Sequence, residues 1–221
     1  MAVAFVYDTM SCKHCCGADK LFDLKSAQKE LRSYKKKGPR KATKKLLSLL
    51  SAYDQKGKSL LDIGGGIGAI QWEFVGNGGS KTTDVDSSSG YLAVASDYAK
   101  EINHALASFK MADFNDVHEE FARHDFVSLD KVICCYPDYE ILLGNALDKT
   151  GTALAMSMPP GGWMSRLFAQ FSKLYLILRK NPFRTYIHSP KKVHDFIESK
   201  GFQLSEKAFS FPWLVRVYER S

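Results

Sequence analysis

The chain has 221 residues, 45% of them hydrophobic, and a net charge of +7, which suits one α/β domain with additions and a sizeable core. No stretch approaches the about 20 uninterrupted apolar residues of a membrane-spanning helix, and the start MAVAFVYDTM lacks the blocks of a secretory signal. Five cysteines, with adjacent pairs at 15–16 and 134–135, fit a reducing, cytoplasmic setting better than a disulfide framework.

Residues 1–22 are Cys-rich and expected to be irregular. Their cluster Cys12, His14, Cys15, Cys16 has no second pair at zinc-site spacing, so no metal is expected there. Asp23 to Lys37 is predicted as a helix, with Ala27, Leu31 and Tyr34 on one face. Gly38-Pro39 ends it and opens a second helix to about Tyr53, buried through Leu46, Leu47, Leu49 and Leu50. Residues 20–45 hold eleven Lys/Arg against two acidic residues, so the basic character belongs to this segment alone. Contact with nucleic acid or an anionic membrane is one reading of it. Tyr34 is the only aromatic between Phe22 and Tyr53, so base stacking lacks support. A solvated face, with Lys35 to Lys37 complementing the helix dipole, is favoured.

From Ser59 the pattern alternates. Strands are predicted near 59–63, 81–86, 109–112, 130–135 and 153–158, and helices near 69–75, 88–106, 117–123 and 139–148. That order argues a doubly wound, mostly parallel sheet. A helix over Pro190 to Lys200 and β-like runs Phe202 to Phe211 and Leu214 to Glu219 complete the chain, the two runs forming a terminal hairpin. Ligands in such sheets bind beyond the carboxyl ends of the parallel strands.

The turn after the first of these strands reads LDIGGGIG. Gly64, Gly65, Gly66 and Gly68 let the backbone approach a ligand at a helix start. Gly64, Gly66 and Ala69 satisfy G-x-G-x-x-G/A, a weak match that proposes a nucleotide-like cofactor. Asp86 lies 22 residues after Gly64 at the end of the next strand, where a carboxylate accepts from ribose hydroxyls. Asp62 separates the candidates. Two residues before Gly64 it can meet a cationic amino group, which a nicotinamide dinucleotide lacks there. S-adenosylmethionine carries both an α-ammonium and a ribose.

At these residues the chain resembles the class I S-adenosylmethionine-dependent methyltransferases, from about Ser59 to the end. LDIGGGIG is similar to the family's D-x-G-x-G-x-G loop, and TTDVDSSSGYL to its ribose-binding strand end. Met111 to Phe114 (MADF) resembles the turn where a carboxylate meets the adenine amino group. Asp130 to Tyr136 (DKVICCY) resembles the fourth strand, whose end faces the methyl group. The resemblance implies a Rossmann-like seven-stranded sheet with the last strand antiparallel, plus N-terminal helices and an inserted lid helix. It implies S-adenosylmethionine as cofactor, with S-adenosylhomocysteine as product. Expected cofactor contacts are Asp62, Gly64, Gly65, Gly66, Gly68, Val85, Asp86, Ala112, Asp113, Phe114 and Cys134. The chain divides on this reading into a helical extension over 1–55 and a methyltransferase domain over 56–221, as one compact unit.

The acceptor is less legible. CCYPD stands where base-methylating relatives carry N/D-P-P-Y/F, which argues against base N-methylation; Tyr136 is a candidate for the methyl site. Trp163 to Leu178 is apolar almost all round and is expected to cap the site as a lid over 159–188, with core burial and a membrane-surface helix as competing readings. Trp163, Phe168, Arg184 and Trp213 are candidate acceptor contacts. His188, just before the Ser189-Pro190 helix start, is a candidate general base, with Tyr186 beside it. The stretch ending in RTYIHSPKKV resembles magnesium-protoporphyrin O-methyltransferases, which implies a hydrophobic, carboxylate-bearing substrate. The reading is therefore methyl transfer to O, N or S of a small or lipophilic molecule. A non-catalytic S-adenosylmethionine-binding or regulatory domain, or an enzyme reaching nucleic acid through the basic helices, is the alternative.

Overall fold

Eight strands form one sheet in the computed structural model, which describes residues 5–7 and 13–221. They are β1 (Phe5–Tyr7), β2 (Ser59–Ile63), β3 (Lys81–Asp86), β4 (Ala107–Met111), β5 (His124–Asp130), β6 (Thr150–Met158), β7 (Phe202–Ser210) and β8 (Trp213–Arg220). Their order across the sheet is β1-β4-β3-β2-β5-β6-β8-β7. Neighbours are parallel except that β8 runs antiparallel to both β6 and β7. The expected seven strands with an antiparallel last one are present, and β1 adds a short edge strand where no element was expected.

The helices are α1 (Lys13–Leu21), α2 (Leu24–Lys37), α3 (Lys41–Leu50), α4 (Ala69–Gly76), α5 (Ser89–Glu101), α6 (Phe114–Val117), α7 (Tyr139–Asp148), α8 (Gly162–Leu178) and α9 (Pro190–Ser199). Asp23 caps α2 by accepting from the Ser26 N–H at 2.8 Å, and Gly38 ends it at φ +72°. Strand β2 shows why both sheet faces are covered. Leu60 packs with Leu46 and Leu50 of α3 and with Ile70 and Phe74 of α4. Leu61 and Ile63 pack with residues of α6, α7 and α9 on the other face. A strand buried on both sides reads as a continuous apolar run. Helix α3 is thus part of a helical layer on the sheet, and α2 joins it through Ala27, Leu31 and Tyr34, which meet Tyr91 and Val94 of α5.

Several expected boundaries move. The strand placed at 130–135 is β5, which ends at Asp130; Lys131 then takes φ +67°, and Ile133–Cys135 form a single 3₁₀ turn. The sequence HDFVSLD hid the strand because its polar side chains are satisfied by neighbours: Ser128 Oγ donates to Asp62, and the Ser59 N–H donates to Asp125. Cys134 and Cys135 therefore do not alternate across a strand. The helix expected over 117–123 is α6 followed by a 3₁₀ turn at His118–Glu120, and α5 ends at Glu101 instead of near 106. Residues 13–21, expected to be irregular, form α1. No helix among the described residues is long and apolar enough to cross a membrane.

Candidate cofactor site

A cavity of about 240 Å³ lies beyond the carboxyl ends of β2, β3, β4 and β5. Its floor is the turn after β2. Gly64 sits at φ +65°, and a β-carbon there would lie 2.6 Å from Val132 Cγ2. At Gly65 a β-carbon would fall 2.7 Å from Asp62 Oδ2 and 2.8 Å from Asp84 Oδ1. The turn tolerates no side chain at either position. Gly68, at the start of α4, is outside the cavity lining.

Beneath the turn two carboxylates are buried together. Ser128 Oγ donates to Asp62 Oδ1 at 2.6 Å, Gln71 Nε2 to Asp84 Oδ2 at 2.8 Å, and the Gly65 N–H to Asp84 Oδ1 at 3.2 Å. All these donors are neutral. Burial pushes the Asp62 carboxyl up to about 7, and Asp84 well above the usual carboxylate range, with each other's charge adding to the shift at Asp84. Asp84 has no counterpart among the residues expected from sequence. Asp86, on the cavity wall, accepts from the Ser88 N–H (2.8 Å) and the Gly66 N–H (3.0 Å), yet burial still raises it to about 6.

The far end is set by Asp113, which caps α6 through the Asn115 N–H at 3.0 Å. Its carboxylate also accepts from Tyr136 Oη at 2.9 Å and from Cys15 Sγ at 3.4 Å. Val85, Ala112 and Tyr136 complete this part of the wall. Burial, and then the Asp113 charge, push the Tyr136 hydroxyl well above its ordinary pKa. Phe114 does not flank the cavity; it is 1% exposed and stacks on Phe121 in the core.

Three sets of lining residues were missed by sequence reasoning. Glu30 of α2 pairs with Arg40 at 2.8 Å and accepts from Tyr91 Oη at 3.0 Å. Lys131 Nζ donates to Thr43 Oγ1 at 2.9 Å and bonds Asp130. Helix α1 supplies Cys15 and Ala18, and Phe22 follows it. Asp19 holds α1 in place, accepting from the Ser89 N–H and Oγ at 2.8 Å each. Nothing local in residues 13–22 signals this, because α1 is ordered by what it covers.

The expected acceptor residues lie elsewhere. His188 Nε2 is 2.9 Å from the Tyr136 carbonyl oxygen, so it braces the 133–136 turn from behind the wall. Arg184 Nη1 donates to the carbonyls of Asn181 and Phe183 at 2.7 and 2.6 Å, and with Tyr186 lines a separate, open depression. Trp213 lies against Lys131, whose Nζ is 5.9 Å from its ring centre. Cys134 Sγ donates to the Lys131 carbonyl at 3.3 Å and stays off the cavity. Trp163 and Phe168 are 76% and 75% exposed, and α8 does not lie over the cavity mouth. Among the described residues no group of three His, Cys, Asp or Glu side chains is arranged to hold a metal ion; Cys12 lies outside the described residues.

No protein-family model matches the chain, and no curated protein matches it in sequence. Solved structures do match its fold. Magnesium protoporphyrin IX methyltransferase from Synechocystis, with S-adenosylhomocysteine bound, aligns at a TM-score of 0.65 and 16% identity, over 81% of this chain and 82% of that one. An O-methyltransferase family protein from Burkholderia thailandensis aligns at 0.65 and 13% identity, over 90% and 63%. A putative sarcosine dimethylglycine methyltransferase from Galdieria sulphuraria aligns at 0.64 and 14%, over 81% and 85%. The chain has the Rossmann-like fold of class I S-adenosylmethionine-dependent methyltransferases.

Proposed function

We propose that the chain is an S-adenosylmethionine-dependent methyltransferase acting on O, N or S of a small or lipophilic molecule. One observation carries the reading: three carboxylates stand in one cavity in the order of the cofactor's polar groups. Asp62 lies by the glycine turn for the α-ammonium, Asp86 on the wall for the ribose hydroxyls, and Asp113 at the far end for the adenine amino group. Asp62 has only neutral donors, so a buried negative charge there gains a partner when an ammonium arrives. The Gly64–Gly66 backbone, Val85 and Ala112 provide the close, apolar contacts between these ends. The bound S-adenosylhomocysteine of the Synechocystis neighbour supports the choice of cofactor, and the small-molecule acceptors named for the neighbours support the choice of acceptor class.

Bound in this cavity, the cofactor would supply an electrophilic methyl group. The protein's own part is to align the acceptor about 3 Å from it and to exclude water. Tyr136 has its hydroxyl held by Asp113 at the far end of the cavity and is too weakly acidic to serve as a base at neutral pH. His188 acts through the Tyr136 carbonyl as a positioning residue. Tyr186, Arg184, Trp163, Phe168 and Trp213 lie outside the cavity lining, and on this reading they have no part at the methyl site.

Calorimetric titration of the purified chain tests the reading. S-adenosylmethionine and S-adenosylhomocysteine should bind, and Asp86→Ala should remove most of the affinity. A hundredfold excess over Kd should stabilise the fold by about 2.7 kcal/mol. Heat from NAD and none from either sulfur nucleoside would overturn it. Transfer of labelled methyl groups into cell-extract metabolites then separates an enzyme from a binding module, which would label nothing.

A further inference from the structure

Helix α8 is turned inside out. Ser165, Ala169, Ser172 and Leu176, at spacings of four, three and four, are the positions that meet the body of the protein, and only Leu176 among them is fully buried. The large apolar residues point the other way. Trp163, Phe168, Phe171, Leu174 and Leu178 are between 55% and 76% exposed. With 3.6 residues per turn, they and their neighbours form one unbroken arc of about 140° along the whole helix. Scattered apolar side chains on a surface are ordinary, but a continuous stripe of this kind marks a contact face.

The charge around the stripe selects the occupant. Between Asp148 and Asp195 the sequence has no acidic residue, while it has Arg166, Lys173, Arg179, Lys180, Arg184 and a lysine pair at 191–192. Arg166 and Lys173 lie together to one side of the apolar arc, and Arg179 and Lys180 stand exposed at its end. A second copy of this face would bring cation against cation with no carboxylate to pair. A bilayer with anionic headgroups offers apolar depth and negative charge in the same plane. At 17 residues the helix is about 25 Å long, and it is not of the kind that crosses a membrane. The β7–β8 turn supplies a second apolar point: Phe211 is 74% exposed, and Met158, the β6 end that leads into α8, pairs with Leu214 just beyond that turn.

We propose that α8, with the β7–β8 turn, docks this protein in the plane of an anionic lipid surface. The inner side of α8 explains the placement. Leu176 packs with Ala18 and Phe183, and both of those line the cofactor cavity. The lipid-facing helix is the outer layer of the cavity wall, so a lipophilic acceptor would reach the site from the bilayer. That last point rests on the proposed function; the docking itself does not.

Sedimentation of the full chain with vesicles of phosphatidylcholine alone, or mixed with phosphatidylserine, tests the proposal. The chain should sediment with the mixed vesicles, less so as salt rises, and little with phosphatidylcholine. Tryptophan emission should shift to the blue on binding, and this shift should be absent in Trp163→Phe. The double variant Phe168→Ser/Phe171→Ser should bind about tenfold more weakly or worse. Both positions are exposed, so an unchanged melting temperature and unchanged S-adenosylhomocysteine affinity should accompany the loss. Lys35→Gln/Lys36→Gln/Lys37→Gln should bind vesicles like the parent. Failure of the parent to bind mixed vesicles overturns the docking, and so does binding indifferent to the Phe168/Phe171 pair. Vesicle binding lost in the lysine variant moves the site to α2 and also overturns it. A dimer in light scattering that dissociates in the Phe168/Phe171 variant would show a protein interface instead.

Discussion

At Gly65 a backbone N–H and two carboxylates share a space too small for a β-carbon. This crowding gives the site its expected pH response. Asp62 is raised to about 7 by burial, with the Asp130 and Asp86 charges adding to it while Ser128 and Gln71 oppose it. Asp86 is raised to about 6, and burial raises Asp84 well above the usual carboxylate range. Carboxyls whose folded pKa exceeds the unfolded value bind protons better in the folded state. Their contribution to stability is complete below about pH 4 and is lost as pH rises through the folded values. The unliganded protein should therefore lose stability from these groups between about pH 4 and 7. A cationic ligand that needs ionised Asp62 works in the opposite direction. S-adenosylmethionine affinity should strengthen as pH rises towards about 7 and then level off, by up to tenfold per pH unit below that point. Calorimetry across this range checks it, with Asp62→Asn expected to bind weakly and with a flatter profile. A Kd independent of pH in the parent would remove Asp62 as the ammonium partner. Asp62 and Asp86 were legible in the sequence from their spacing to the glycine turn, and Asp113 through the resemblance of MADF to an adenine-binding turn. Asp84 was not, since nothing in TTDVD tells that its side chain turns under Gly65.

Among the elements, α3 shows where sequence reasoning stopped short. Its apolar face was legible from Leu46, Leu47, Leu49 and Leu50, but not what that face would cover. Assigning residues 1–55 to an extension followed from the basic residues, which lie on the opposite, solvated side. In the structure Leu46 is fully buried, in one cluster with Leu60, Phe126, Val215 and Val217 from three strands. Leu46→Ala should cost about 2–5 kcal/mol in denaturant unfolding, and Lys36→Gln, exposed on α2, no more than about 0.5 kcal/mol. A Leu46→Ala variant as stable as the parent would make α3 a loosely attached addition. β5 went unread for a related reason. Its polar residues look like a loop until partners on β2 are in place, so only tertiary pairing reveals the strand. α8 was legible as unusually apolar; that its small residues face inward and its large ones outward required the packing.

Over the whole molecule, the cofactor cavity is closed by two segments far apart in the sequence. α1 crosses it from one side and Phe183 from the other. Asn181 Nδ2 joins them by donating to the Gly17 carbonyl at 3.0 Å, and Ser88 Oγ ties the end of α1 down by donating to the Phe22 carbonyl at 2.6 Å. The cluster behind this closure is small: Ala18, Leu176 and Phe183, with Leu21 and Cys135 against them. A unit with so few buried contacts opens at a lower free energy than the sheet does, so α1 is expected to part from the body to admit the cofactor. Amides of α1 should exchange with solvent faster than those of β2 and β5, and S-adenosylhomocysteine should slow them through the contact of Cys15 with Asp113. Gly17 gives a variant whose local and tertiary effects oppose each other. Alanine favours a helix over glycine by about 1 kcal/mol, yet a β-carbon at 17 would lie 2.5 Å from the Phe183 nitrogen. Gly17→Ala should therefore speed exchange across α1 and raise the cofactor's association and dissociation rates together, even though α1 itself becomes the better helix. Protection of α1 equal to that of β2, and unmoved by S-adenosylhomocysteine, would mean that the cavity loads by a path that leaves α1 in place.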